Sequence, residues 1–148
     1  MAKSLADQDV RDEMLDRLER LAPDARAHWG KMNATQMLAH LADWMSMAEG
    51  TLPVAPLRMI VRYPPIKQLA IYWLPFPKNV MTAPELKSRQ PRDWSIELET
   101  VRQRLEGFDA VARRVGWPHH PAFGRMTRHA WCVFAYRHMD HHFRQFGI

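Results

Sequence analysis

Residues 94–115, WSIELETVRQRLEGFDAVARRV, hold the cleanest apolar stripe in the chain. Leu98, Val101, Leu105, Phe108, Ala112 and Val115 recur at steps of three and four. That spacing puts them on one face of an α-helix. Gly116 and Pro118 mark its end. A helix with one apolar face must bury it against other elements. The fold therefore depends on which other segments carry the same pattern.

Three others do. Val10, Met14, Leu18 and Leu21 predict a helix over about 5–21, opened by a Ser4–Asp7 pair that resembles a capping box, with Pro23 beyond its end. Asn33 and Gln36 repeat the capping signature before Met37, Leu38, Leu41, Trp44, Met45 and Ala48. This predicts a helix over 34–49, and Gly50 is its stop. Thr127 is a cap for a last helix over 128–146. Residues 51–92 are different, because Pro53, Pro56, Pro64, Pro65, Pro75, Pro77, Pro84 and Pro91 interrupt them. Short helices around 57–62 and 66–73 fit between the prolines, with ordered coil elsewhere. Such a connection serves either as a lid or pocket wall or as a packed crossover. No period-two run, internal repeat or low-complexity stretch competes. The pattern predicts an all-α protein, a four-helix bundle with one long middle connection, as a single domain over residues 1–148.

The bulk composition bounds the function. The 148 residues carry a formal charge of +5, spread unevenly. Residues 1–50 hold six basic and nine acidic side chains, and residues 51–148 hold fifteen and seven. The basic part suits an anionic ligand. No dense Lys/Arg cluster, zinc finger or single-strand-binding motif accompanies it, so nucleic acid is not the expected partner. Cys132 is the only cysteine, which excludes an intrachain disulfide and fits a reducing cytoplasm. The first residues, MAKSLADQDVRDEM, have no apolar signal-peptide core. The apolar stretch around 69–77 is too short to span a bilayer. The expected location is the cytoplasm, with no membrane partner. No nucleophile elbow, phosphate-binding glycine loop or dinucleotide fingerprint occurs. Cys132 itself reads as a small core residue.

The chemistry lies in the histidines. The chain ends YRHMDHHFRQFGI, and His138 and His142 are four apart on the last helix. Two imidazoles at that spacing share a face and can chelate one metal ion. His141 borders that face and is the alternative ligand. Asp140 lies about 200° round from His138 and points elsewhere. A metal centre needs a third donor. His40 is the best candidate, in mid-helix among Met37, Leu41 and Trp44. The three meet if the second and last helices pack together. Three neutral imidazoles leave coordination positions open, as at catalytic sites. The donor set suits zinc, nickel or iron and argues against magnesium or calcium. The competing reading is three histidines that are polar core or surface residues.

Asp43, one turn after His40, is the candidate catalytic base on bound water, the acceptor of an imidazole N–H or a further ligand; otherwise it is a surface carboxylate. Gln36 is a cap or a pocket residue. Tyr136 supplies a phenol near the site or packs. Arg144 holds an anionic substrate or is solvated. His28, His119, His120 and His129 lie near ends or in loops, and of these His120 is the one that could reach the pocket rim.

The segments MNATQMLAHLADW (32–44) and HPAFGRMTRHAWCVFAYRHMDHHFRQFG (120–147) resemble the DinB-like (YfiT-like) superfamily of four-helix-bundle metalloproteins. They look most like its subfamily ending in Asp-His-His-x-Arg-Gln-Phe-Gly. The likeness covers most of the chain and is loose across residues 51–92. It implies an up-down-down-up bundle with a long connection between the second and third helices. It implies a divalent metal held by His40, His138 and His142, with His141 beside the site. Characterised relatives include transferases that use low-molecular-weight thiols such as mycothiol, bacillithiol or glutathione, and some relatives are dimeric. The resemblance thus implies a thiol as co-substrate, a small-molecule substrate and a homodimer. A metal-dependent hydrolase, a non-enzymatic metal or small-ligand binder and a bundle that associates with a partner remain the competing expectations.

Overall fold

In the second helix, local sequence alone sets both ends. Asn33 Oδ1 accepts the Gln36 amide at 2.8 Å, and Gln36 Oε1 accepts the Asn33 amide at 2.9 Å. The two orphan donors of the first turn are thus satisfied reciprocally. Gly50 closes the helix in the left-handed region, at φ 82°. The span is Ala34–Glu49, as the apolar pattern predicts. This helix belongs to a computed structural model that describes residues 1–80, 82–87 and 89–148.

Among the described residues the protein is all-helical. Its α-helices are α1 (Gln8–Glu19), α2 (Ala34–Glu49), α3 (Ile66–Tyr72), α4 (Trp94–Glu106), α5 (Phe108–Arg113) and α6 (Arg128–Gln145). Two single 3-10 turns, Ile60–Arg62 and Pro84–Leu86, interrupt the connection between α2 and α4. No helix among the described residues is long and apolar enough to cross a membrane.

Three departures from the sequence expectation exceed a residue or two at a helix end, and each has a physical reason. First, α1 begins at Gln8 rather than near residue 5. The Leu5 amide is bonded to the Cys132 carbonyl of α6 at 3.1 Å, and Arg11 holds the carbonyls of Leu5 and Ala6. Ser4 accepts the Ala6 amide instead of forming a capping box. Second, the stripe at 94–115 forms two helices that meet at Gly107. Val101, Leu105, Phe108 and Ala112 are buried as expected, but Val115 is fully exposed. The backbone has already left helical geometry at Arg114, so the period no longer places that residue. Third, the expected helix at 57–62 is only a 3-10 turn.

The helices share one apolar core that includes Met14, Leu18, Met37, Leu41, Trp131 and Phe143. α2 packs on α4 and on α6, α1 contacts both α4 and α6, and α3 lies against α6. Cys132 is buried in this core, and burial pushes its thiol up to about 11. It is inert as a nucleophile near neutral pH.

Charged side chains tie down the irregular connection. Arg137 of α6 donates to the carbonyls of Ala70, Ile71 and Leu74, capping the end of α3. Arg62 donates to the carbonyls of Leu57 and Pro121. Arg89 bridges α2 and α4 by binding Asp43 at 3.0 Å and the fully buried Glu97 at 2.5 Å. Arg92 adds its own amide and guanidinium to Glu97. Each carboxylate oxygen of Glu97 is therefore satisfied, which a buried charge requires.

Candidate metal centre

α2 and α6 each present an apolar face with a histidine set into it. His40 lies among buried Met37, Leu41 and Trp44, and His138 and His142 lie among buried Phe134, Met139 and Phe143. The packing of α2 on α6 brings the three rings together. His138 Nε2 is 3.2 Å from His40 Nε2 and 3.2 Å from His142 Nε2. All three rings are buried, at 7–8% exposure.

The outer nitrogens set the tautomers. Gln145 Nε2–H donates to the Trp29 carbonyl at 2.8 Å, so Gln145 Oε1 is the end that faces His142. His142 Nδ1–H donates to that oxygen at 2.8 Å, which leaves its Nε2 as a bare lone pair. His40 Nδ1–H is directed at the Leu86 carbonyl at 3.5 Å, a long contact that gives the same result. Both lone pairs aim at His138 Nε2. A proton there satisfies only one of them. Among the described residues, His138 Nδ1 is buried without a hydrogen-bond partner.

Charge does not resolve the conflict. Burial holds His40 down to about 4 and His142 down to about 3. Burial, reinforced by the neighbouring imidazoles, holds His138 well below its ordinary value. All three are neutral near pH 7, the state that binds metal. A tetrahedral ion with bonds of about 2.0–2.1 Å spaces its nitrogen ligands about 3.3 Å apart. The 3.2 Å separations match that spacing. These three buried histidines could hold a metal ion, since their facing donor atoms all lie within 4.8 Å of one another.

The cluster opens on a cavity of about 800 Å³. Trp44, Phe76 and Phe134 pack around His138 at ring separations of 4.8, 6.1 and 6.4 Å. The connection supplies the opposite wall, with Leu57, Leu74, Phe76 and Leu86. Lys31 and Lys87 also line the cavity, and no Asp or Glu does among the described residues.

The other sequence candidates fall around this cavity or away from it. His141 lies beside His142 at 5.1 Å and between Trp29 and Phe76, half buried on the cavity wall. His120 also lines the cavity. Asp43 does not line it; its carboxylate is held by Arg89. The partner facing the His40 Nδ1–H is the Leu86 carbonyl, not Asp43. Asp43 is one turn on from His40, but Arg89, anchored on Glu97, draws it aside. Gln36 is a cap. Tyr136 faces Lys3 of the N-terminal segment. Arg144 is 70% exposed and pairs with Asp140, which also binds Arg17. Gln145, the last residue of α6, is not among the sequence candidates. Its position three residues after His142, one turn along the same face, was the available signal. Leu86 had none, since a carbonyl contact across 46 residues leaves no trace in spacing.

The fold and the cluster define an all-helical protein with a buried three-histidine site able to hold a metal. The chain belongs to the DUF1569 family, described as a protein of unknown function, which it matches over residues 2–147. No curated protein and no solved structure matches it.

Proposed function

We propose that the protein is a divalent-metal protein of the DinB-like type, with an up-down-down-up bundle, and that it uses its ion to transfer a small thiol to an apolar small molecule. The observation that carries this reading is the convergence of three neutral imidazoles on the floor of an apolar cavity, with His138 Nε2 3.2 Å from the Nε2 of both His40 and His142 and all three donor atoms within 4.8 Å of one another. Zinc, nickel and iron all suit the donors. A bound divalent ion would supply Lewis acidity, lowering the pKa of a thiol or water in its open position.

The chain's own residues do the rest. Gln145 and the Leu86 carbonyl keep the protons of His142 and His40 on their outer nitrogens. Trp44, Phe76 and Phe134 exclude water around His138. Lys31 and Lys87 attract an anionic co-substrate to the opening, and thiol tripeptides are anionic. Hydrolysis is the second reading. A base for the attacking water would assist it, and the cavity offers no carboxylate among the described residues. A thiol starts from a lower pKa than water, so the same ion would ionise it, its proton passing to solvent, with less help from a base, which favours thiolate addition to an electrophile.

The test uses protein purified without a metal-affinity tag. Elemental analysis and an edge-anomalous map should find one divalent ion on His40, His138 and His142. Cobalt-substituted protein titrated with glutathione should then show a sulfur-to-cobalt charge-transfer band. One ion but no thiol band would leave a metal binder or hydrolase and sink the transferase reading.

A further inference from the structure

His120 sits in the turn before α6, and its ring does two separate things. Its Nδ1 accepts the amides of Ala122 at 3.1 Å and Phe123 at 3.3 Å. This is the bonding of an Asx turn, in which a side-chain acceptor takes backbone N–H groups two and three residues on. A bridge between His120 and Gly124, with both amide–carbonyl bonds at 2.8 Å, closes the same turn. Because Nδ1 accepts twice, the proton must be on Nε2. The tautomer is fixed by the backbone.

Among the described residues that N–H has no acceptor, and Nε2 reaches the cavity rather than being sealed in the core. His120 lines the cavity, and one ring, Phe134, separates it from His138, at 5.2 Å from His120 and 6.4 Å from His138. The cavity is largely apolar, has cationic side chains at Lys31 and Lys87 and polar ones at Asn79, Thr82 and His141, and offers at His120 a neutral donor whose tautomer the backbone fixes, set back from the three-histidine cluster.

We propose that His120 Nε2–H is a substrate-binding donor, and that the cavity takes a predominantly apolar molecule carrying one accepting oxygen, such as a carbonyl, which His120 anchors beside the metal cluster. This deepens the proposed reading of the site and rests on it for the identity of the molecule as substrate. Burial supports the role: it holds His120 down to about 3, so the imidazole stays a neutral donor. A neutral N–H polarises a carbonyl without surrendering its proton. The absence of a lining carboxylate among the described residues disfavours a cationic ligand.

The experiment compares two probes of the same shape, 2-acetylnaphthalene and 2-ethylnaphthalene, on the full chain, both metal-stripped and zinc-loaded. His120→Asn keeps an acceptor for the Ala122 and Phe123 amides and removes the far N–H. It should weaken the acetyl probe about five- to tenfold, the effect of one neutral hydrogen bond, and leave the ethyl probe unchanged. His120→Gln, which restores a donor at the outer position, should recover part of the loss. The acetyl carbonyl stretch, read with a carbon-13 label, should shift down in the wild type and not in His120→Asn. Because the donor belongs to the chain, the selective loss must appear without metal. Failure to bind zinc therefore strikes the proposed function alone. Equal weakening of both probes, or none, overturns the donor role and leaves Nε2–H packed on the Phe134 ring.

Discussion

The cavity has two walls of different construction. On one side α2 and α6 hold His40 and His138 in mid-helix and His142 in the last turn of α6, flanked by core residues. On the other side the connection from 51 to 92 supplies Leu57, Phe76 and Leu86 from largely irregular backbone. Many small apolar contacts fix the first wall. A few long guanidinium groups, those of Arg62, Arg89 and Arg137, fix the second. The three-histidine cluster should thus tolerate changes in the connection, apart from the Leu86 carbonyl that faces His40, and the face proposed to bind substrate should not. Rigid elements suit a metal constellation, while loops suit a surface that varies with substrate.

The sharpest break in this contrast is to remove a ligand and keep the wall. His138→Ala deletes the ring that faces both others, and metal affinity should fall more than about 100-fold, beyond the effect of losing an outer partner. Circular dichroism should show the helices intact. Full metal occupancy in that variant, by elemental analysis, would mean the ligand set is wrong.

The next test sets one wall against the other. Leu41 is fully buried in α2, and Leu41→Ala should cost about 2–5 kcal/mol in urea unfolding. Phe76, half buried on the connection, packs on Phe134, His138 and His141. Phe76→Ala should cost about 1–2 kcal/mol. It should weaken both naphthalene probes while leaving zinc affinity within a few-fold. A large loss of zinc in Phe76→Ala would show that the two walls are not separable.

The anchor of the connection has a pH signature. Burial by itself pushes Glu97 up, but the hydrogen bonds and charge of Arg89 and Arg92 outweigh it and hold the carboxyl at about 2. A carboxyl depressed in the native state stabilises fully above its ordinary pKa near 4.5 and loses that contribution as pH falls toward 2. The stability gap between wild type and Glu97→Gln should be widest near neutral pH. It should narrow by about 3 kcal/mol between those limits. Urea unfolding of metal-free protein across this range reads it, and a gap independent of pH would remove Glu97 as the anchor.

The same two walls separate what the sequence discloses from what it hides. The α2 boundaries follow from Asn33, Gln36 and Gly50, because those residues act on their own neighbours. The His138–His142 pair follows from one helical turn, and the apolar setting of His40 points it inward. The start of α1 does not follow, because a distant carbonyl, that of Cys132, takes the Leu5 amide. Nor does the fate of Asp43, which depends on Arg89, 46 residues away. Val115 shows the converse failure: a correct period carried past the point where the helix stops. The contact between α2 and α6 does not follow from spacing at all, because it joins segments 98 residues apart at His40 and His138.

Gln145 joins the two kinds of construction and gives the finest test. It belongs to α6, yet it fixes His142 by bonding to the loop before α2. Its Oε1 accepts the His142 Nδ1–H and its Nε2–H donates to Trp29, both at 2.8 Å. The loop approaches so closely that a Cβ on Gly30, where φ is 80°, would lie 2.7 Å from Gln145 Nε2. Only glycine suits that backbone and that contact. Gln145→Leu fills similar space but leaves the His142 proton without an acceptor, so zinc affinity should fall about 10- to 100-fold. Gln145→Glu restores the acceptor and should recover most of the affinity, although it gives up the bond to Trp29. Gly30→Ala, which touches no histidine, should weaken zinc in the same direction and by less, through displacement of the carboxamide. The ligand-field spectrum of the cobalt form separates this from general loosening: a turned His142 ring shifts the bands, whereas a merely destabilised fold does not. If Gln145→Leu binds zinc as wild type does, the ring is held by the helix alone, and the loop wall has no part in the metal centre.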